Sequence, residues 1–325
     1  MPRYITLGNF TEDDVVLSNG QRMSRQCGGD CLYAAMGIRL WCNDVGIVSV
    51  ISATYPQEWI DTLAAAQIDV RGIRRSALPE GMGGVMIYDE HGIRRFVAGS
   101  VPLPNSQVMH TELNEIQKWY DFSPQAMDIP ESFYHAQSAH IAPMPIARQN
   151  ESLRALHQRV PTISLDLPWW PAAQKQGEYP DLFRADWVML SEAELEGYFG
   201  NVSLQAGAQR LVAEGARSIV IKRGELGSWL FDTKSERCWE IPIYPAHVKD
   251  PTGAGDAYCG GFLVGLDETG DPFQAALYGT VSASFIIEDF GALYSLQFSR
   301  ADAQARLAHM HTKVKRKSTT VTEGD

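Results

Sequence analysis

The chain predicts an α/β fold: a doubly wound, mainly parallel sheet flanked by helices, with a small antiparallel sheet set apart from it. Two observations carry this. From Thr162 onward, short apolar runs alternate with amphipathic stretches in a β-α-β-α series, the pattern of a parallel sheet covered on both faces. Before that body come two hairpin signals that no parallel sheet would use.

The elements follow in order. Tyr4–Leu7 reads as a first strand closed by Gly8-Asn9, and Val15–Met23 holds Asn19-Gly20, the strongest short hairpin signal. Val45–Val50 (VGIVSV) is β-branched without alternation, as in a strand buried on both faces. Gln57–Ala66 places Trp59, Ile60 and Leu63 at helical spacing. Val85–Tyr88 and Ile93–Val97, joined by the polar turn Asp89–Gly92, form the second hairpin. Residues 102–140 are polar, Pro-containing and aromatic, and read as an insertion with a short helix at Glu112–Tyr120. Strands follow at Thr162–Leu167, Asp186–Leu190 and Ser218–Lys222, with a hairpin starting at Ser228–Phe231. Ser191-Glu192-Ala193-Glu194 has the order of a capping box, and Leu204–Gly215 is helical. Lys313–Asp325, with Lys313, Lys315, Arg316 and Lys317, reads as a solvated, flexible polar tail.

Composition bounds the partners. The chain has 325 residues, 28 Lys+Arg against 39 Asp+Glu, and a net charge of −11. That balance argues against nucleic acid or an anionic membrane surface as a partner. It leaves room for one phosphorylated ligand held by backbone N–H groups at a helix start. Five cysteines without paired close spacing indicate neither a zinc ribbon nor a disulfide framework. No stretch approaches the roughly 18 apolar residues of a membrane span, and the N-terminus lacks a signal-peptide core. The expectation is a cytoplasmic protein with no membrane partner.

The densest chemical signal is Asp250-Pro251-Thr252-Gly253-Ala254-Gly255-Asp256, followed by the helical stretch Ala257–Leu266. A glycine turn at a helix start offers unpaired N–H donors and the positive end of the helix dipole, a site for phosphate. A carboxylate set there would repel phosphate, but it is useful if it takes the proton of a hydroxyl attacking the terminal phosphoryl group. Phosphoryl transfer asks for positioning and charge stabilisation more than for covalent help. The plainer reading, a structural glycine turn capped by Asp256, stands beside this one.

DPTGAGDAYCGGF resembles the C-terminal signature of the ribokinase-like (PfkB) family of carbohydrate kinases, D-T-x-G-A-G-D with a catalytic final Asp. The similarity runs from Tyr4 to about Leu296. It implies one kinase domain over residues 1–312, ATP and Mg²⁺ as cofactors, and a sugar or polyol acceptor. It implies that Gly253, Ala254, Gly255 and the N–H of Asp256 form the anion hole, with Asp256 as base. Asp250 and Thr252 fall where family members often hold a monovalent cation such as K⁺. Lys222 to Gly227 resembles the G-x-x-G element beside the nucleotide, which implicates Lys222, Gly224 and Gly227. Thr280 and Gly291 lie in the stretch resembling the adenine-flanking helix and loop, and Thr252 joins the cofactor-binding set. On the acceptor side, Asn9, Asp13, Gly28 and Gly29 match sugar-binding positions. The hairpins, about 11–25 and 81–100, then correspond to a β-lid that closes over the sugar and that could support a homodimer.

Three departures fall mostly on the acceptor side. Tyr33 stands where the family has a sugar-binding Asn. The N-x-x-E magnesium element becomes Ser191-x-x-Glu194, which keeps Glu194 for metal binding through water. The usual Gly-Asp after the second strand is Ser52-Ala53. This distribution implies a changed acceptor, and a nucleoside kinase of the same superfamily or a non-catalytic binding relative remain the alternatives. Neither a P-loop nor a dinucleotide-binding fingerprint occurs. Ser164-x-Asp166 and the histidines, including His309 and His311, form no nucleophile–base pattern, and Trp169-Trp170 could stack on a sugar.

Overall fold

The computed structural model describes residues 1–88, 94–98, 112–168, 181–315 and 319–320. The Asp89–Ile93 turn, Trp169-Trp170, Arg316 and Lys317 lie outside the described residues.

In chain order the elements are β1 (Tyr4–Leu7), β2 (Thr11–Val16), β3 (Arg22–Gly28), α1 (Asp30–Arg39), β4 (Val45–Ile51), α2 (Gln57–Ala65) and β5 (Asp69–Arg75). Next come β6 (Gly84–Tyr88), β7 (Arg94–Ala98), α3 (Glu112–Phe122), β8 (Ser138–Ile141), α4 (Ile146–Leu156), β9 (Thr162–Asp166) and β10 (Trp187–Ser191). The chain continues through α5 (Glu192–Phe199), α6 (Leu204–Ala213), β11 (Ser218–Lys222), β12 (Ser228–Asp232) and β13 (Arg237–Ile241). It ends with α7 (Ala254–Thr269), α8 (Pro272–Ile286), α9 (Arg300–Lys313) and the two-residue β14 (Thr319–Thr320).

The central sheet has the order β14-β13-β12-β11-β10-β9-β8-β1-β4-β5. From β5 to β11 every pairing is parallel, whereas β12, β13 and β14 are antiparallel additions at one edge. The expected double winding is visible in side-chain alternation. In β11, Ile219 and Ile221 join the core under α4, α5 and α6, while Val220 joins the core under α1, α7 and α8. A strand covered on both faces has no polar side to display, so its sequence runs apolar.

The second sheet, β3-β2-β6-β7, is built from the two expected hairpins. It is not wholly antiparallel. Each hairpin is antiparallel within itself, but β2 and β6 pair in parallel, Asp14 opposite Val85. The two hairpins point the same way because a long chain excursion separates them. Val15, Met86 and Tyr88 face inward onto Phe290, and the outer face carries the ion pairs Arg22–Asp14 and Arg25–Glu12.

Two expectations change. The stretch 102–140 is not insertion throughout, because its end enters β8, which pairs with β1 and β9 in mid-sheet. Four residues (SAHI) are too short a run to declare a strand by periodicity. The tail is likewise tied in part: Thr319 and Thr320 pair with Cys238 and Arg237 of β13. Among the described residues, no helix is long and apolar enough to cross a membrane.

Candidate active site

The parallel strands end along one edge of the sheet, and the site assembles there, as open α/β sheets dictate. Gly253 is the N-cap of α7, with φ of 77° in the left-handed region. A side chain would be strained at that φ. A Cβ would also stand 2.2 Å from the Tyr33 ring, so the ring lies flat against the bare glycine. The turn before it is locked by Asp250, whose Oδ1 accepts from Thr252 N (3.0 Å) and Thr252 Oγ1 (2.6 Å). With its proton given to Asp250, Thr252 Oγ1 accepts from the Tyr88 hydroxyl at 2.6 Å. Tyr88 belongs to β6 of the small sheet expected to form the lid, so that sheet is bonded directly to the turn before α7. Burial pushes the Asp250 carboxyl up, and the bonds from Thr252 oppose it. Both side chains are engaged in these bonds, and the K⁺ expectation rests on the resemblance alone.

A cavity of about 740 Å³ opens beside Ala254 and Gly255. Lys222, Gly224, Gly227 and Thr280 line it as expected, together with Tyr244, Val248, Lys249 and Tyr258. Leu17, Ser18 and Asn19, at the tip of the β2–β3 hairpin, line it from above. Ile243 and Val248, 46% and 57% exposed, offer it an apolar wall. Gly291 is not among the lining residues. Its bare Cα faces Gln26 of β3 instead, where a Cβ would come 3.1 Å from Gln26 Oε1.

Glu194 stands at the third position of α5 and completes the capping box: its Oε2 accepts from Ser191 N (2.6 Å), and Ser191 Oγ accepts from Glu194 N (3.1 Å). It lies close enough to Lys222 to favour that ammonium electrostatically. A half-buried carboxylate near Lys222 has the chemistry to hold a magnesium ion through water.

On the other side of α7, the residues expected to meet the acceptor come together. Asp13 Oδ2 accepts from Thr11 Oγ1 (2.5 Å), and Oδ1 accepts from Gly84 N (3.3 Å), so this carboxylate ties β2 to β6. A Cβ on Gly28 would stand 2.7 Å from Asp13 Oδ2 and 3.5 Å from Tyr33, which makes the three neighbours. Gly29, at φ 115°, opens α1 against the backbone of Asn9. Asn9 Oδ1 accepts from Trp119 Nε1 at 3.1 Å. Its Nδ2 is buried and has no partner among the described residues, a donor suited to a bound hydroxyl. Burial and the negative charges of Asp250 and Asp13 push the Tyr33 phenol well above its ordinary range, so it is a neutral donor.

Four participants escaped the sequence reading. Tyr88 and Trp119 carried no motif at all, and Cys259 lies inside DPTGAGDAYCGGF but carried no role there. Asp166 was set aside for want of a nucleophile–base pattern, yet it forms a buried ion pair with Lys222. A strand-end carboxylate matched to a strand-end lysine in the same parallel sheet was the available signal.

Residues 4–298 match the model of the pfkB family carbohydrate kinases. The chain belongs to that family. Among relatives of this PfkB kinase, a cytidine kinase of Thermococcus kodakarensis is 27% identical over 291 residues, covering 88% of this chain and 96% of that one. The ribokinase of Giardia lamblia superposes with a TM-score of 0.75 at 16% identity, over 95% of this chain and all of that one. An Escherichia coli protein assigned as a ribokinase II, in complex with ATP and Mg²⁺, gives 0.70 at 17% identity over 95% and 100%. At such identities the structures establish the ribokinase-like fold.

Proposed function

We propose that this PfkB kinase transfers the terminal phosphoryl group of ATP to a hydroxyl of a sugar moiety, with Asp256 as general base. The observation that carries this is the placement of Gly253–Asp256. The turn opens α7 between a 740 Å³ cavity on one side and the Asn9–Asp13–Gly28–Tyr33 group on the other.

The nucleotide lies in the cavity, its base against the apolar wall of Ile243 and Val248 and its phosphates toward Gly255 and Lys222. The N–H groups of Gly255 and Asp256, with the positive end of the α7 dipole, hold the transferring phosphoryl group. Mg²⁺, held near Glu194 through water, supplies charge neutralisation across the phosphates when bound. Asp256 orients the acceptor hydroxyl and takes its proton late, once the oxygen has begun bonding to phosphorus. The lid, latched through Tyr88 and Thr252, keeps water from competing as acceptor.

A second reading, a nucleoside as the acceptor, is favoured by the cytidine kinase relative, which aligns over nearly its full length. Trp119 beside Asn9 offers an aromatic surface for a base on the acceptor side. ADP formation measured with cytidine, adenosine, ribose, fructose and ketodeoxygluconate separates the two readings. Turnover with none of them, alongside ATP binding, would favour a non-catalytic relative and overturn the proposal. Asp256→Asn should keep the fold and nucleotide binding while lowering kcat by about 10²–10⁴. A near-normal rate would remove Asp256 from the role of base.

A further inference from the structure

Beneath the anion hole lies a buried charged cluster of which the transfer chemistry above uses only Lys222, leaving Asp166 and Cys259 without a role. Asp166 ends β9 and Lys222 ends β11, with β10 between them, Met189 opposite Asp166 and Ser191 opposite Lys222. Lys222 Nζ donates to Asp166 Oδ2, and their side chains are only 14% and 3% exposed. Cys259 Sγ donates to the same Oδ2 at 3.6 Å and lies 3.7 Å from Nζ. Asp166 Oδ1 is buried without a partner among the described residues, so the carboxylate is oriented through one oxygen only.

The ammonium is not simply a core charge. It lines the cavity. A Cβ placed on Gly255 would stand 3.4 Å from Nζ, so the lysine tip lies directly against the bare backbone of the phosphate turn. An isolated buried pair of this kind contributes little net stability, because desolvation consumes most of the attraction. Its geometry is better explained by a third charge arriving from the cavity.

We infer that Asp166 is a positioning residue: it holds the Lys222 ammonium against Gly255, where Lys222 receives the terminal phosphate of the bound nucleotide. This rests on the reading of the cavity as the nucleotide cleft. Lysine is a compact point charge on a flexible stem, and without a tether its tip would sample many positions. The Asp166 bond removes that freedom before the nucleotide arrives, and pre-organisation of this kind is what makes charge stabilisation effective. Burial of the ammonium works against its charge, but Asp166, with Glu194 and Asp256 nearby, outweighs it and holds the proton on.

Calorimetric titration of the full chain with ATP and with ADP, each with Mg²⁺, tests the inference. Asp166→Asn should weaken ATP binding about tenfold and leave ADP within about twofold, since ADP lacks the phosphate that Lys222 receives. Asp166→Glu should restore most of the ATP affinity. A loss equal for both nucleotides, or no loss, would overturn the assignment, because a merely structural role gives no preference between them. If Asp166→Asn fails to fold, Lys222→Met must show the same ATP-selective loss, and an unchanged ATP-to-ADP ratio there overturns it equally. A wild-type chain that binds neither nucleotide would instead overturn the reading of the cavity.

Discussion

The distance between the anion hole and the acceptor side is set by two glycines facing each other across α1 and α7. A Cβ on Gly260 would stand 1.9 Å from Ala34 O, and a Cβ on Gly37 would stand 2.1 Å from Ala257 O. Contacts shorter than 3.0 Å do not persist, and both obstacles are backbone. Gly260→Ala must therefore drive the helices apart by about 1 Å at the crossing. Gly260 lies four residues, one helical turn, below Asp256, while α1 begins at the acceptor-side Gly29. The retreat is passed to the gap between base and acceptor, where a displacement of about 1 Å costs on the order of 10² in rate. Overpacking should also destabilise the fold by about 1–3 kcal/mol. The sign is informative, because Gly→Ala in an unobstructed helix interior gains about 0.5–1 kcal/mol. An ADP-coupled assay gives kcat/KM for the acceptor, and urea unfolding gives stability. Gly37→Ala should behave alike, and the double variant should fall well short of the sum, since one retreat relieves both clashes. A Gly260→Ala protein that is more stable than wild type and within twofold of its kcat/KM would refute the helix-spacing reasoning.

Other outcomes follow from the same geometry. Tyr33→Asn removes the ring from Gly253 and should destabilise the fold by about 2–4 kcal/mol. It should change the rank order of acceptors in the panel while KM for ATP stays within about threefold; an unchanged order would show the ring to be packing only. Tyr88→Phe deletes the lid's bond to Thr252, worth about 1 kcal/mol, and should raise acceptor KM about fivefold without altering the melting temperature by more than a few degrees. Equal KM values would mean that the lid closes without this latch. His140 is held neutral, pushed down to about 3 by burial and then by the Lys222 charge, although its Nδ1 has Ser164 Oγ at 2.8 Å. The unfolded chain protonates this residue below its ordinary 6.5 and the folded chain does not, so stability falls as pH drops from 6.5 toward 3. Between pH 7 and pH 5 the loss is about 2 kcal/mol. Asp166, raised to about 7 by burial against the pull of Lys222, acts with the opposite sign over that window. The test is therefore the difference in urea midpoints between wild type and His140→Gln at the two pH values, and parallel shifts would refute the linkage.

The donor side of the site was legible in the sequence because it is local. Seven consecutive residues, Asp250 to Asp256, carry the turn, the left-handed glycine, the helix start and the proposed base. The capping box at Ser191–Glu194 was legible for the same reason, since its bonds close within three residues. The acceptor side is assembled across the chain: Trp119 reaches Asn9 over 110 positions, and Tyr88 reaches Thr252 over 164. No periodicity records such pairs. β8 was missed for a related reason, because four residues between longer elements are a strand only by virtue of their neighbours on both sides.

Charge explains why the two halves need each other. Asp166, buried beneath the turn, Glu194 and Asp256 all lie close to the Lys222 ammonium, and on the proposed reading a triphosphate comes in beside them. A helix start supplies about half a positive charge, which cannot offset three carboxylates and a polyanion together. Lys222 cancels one carboxylate, and a magnesium ion near Glu194 would offset another along with part of the phosphate charge. The residual negative charge then falls on Asp256, the residue proposed to receive a proton. A base facing an uncompensated polyanion gains most from protonation late in the transfer, when the hydroxyl proton is being released. The acidic site and the acidic chain, −11 overall, are thus compatible with phosphate chemistry so long as the few positive groups are fixed in place. That is the physical reason for a lysine buried at a strand end instead of a mobile one at the rim.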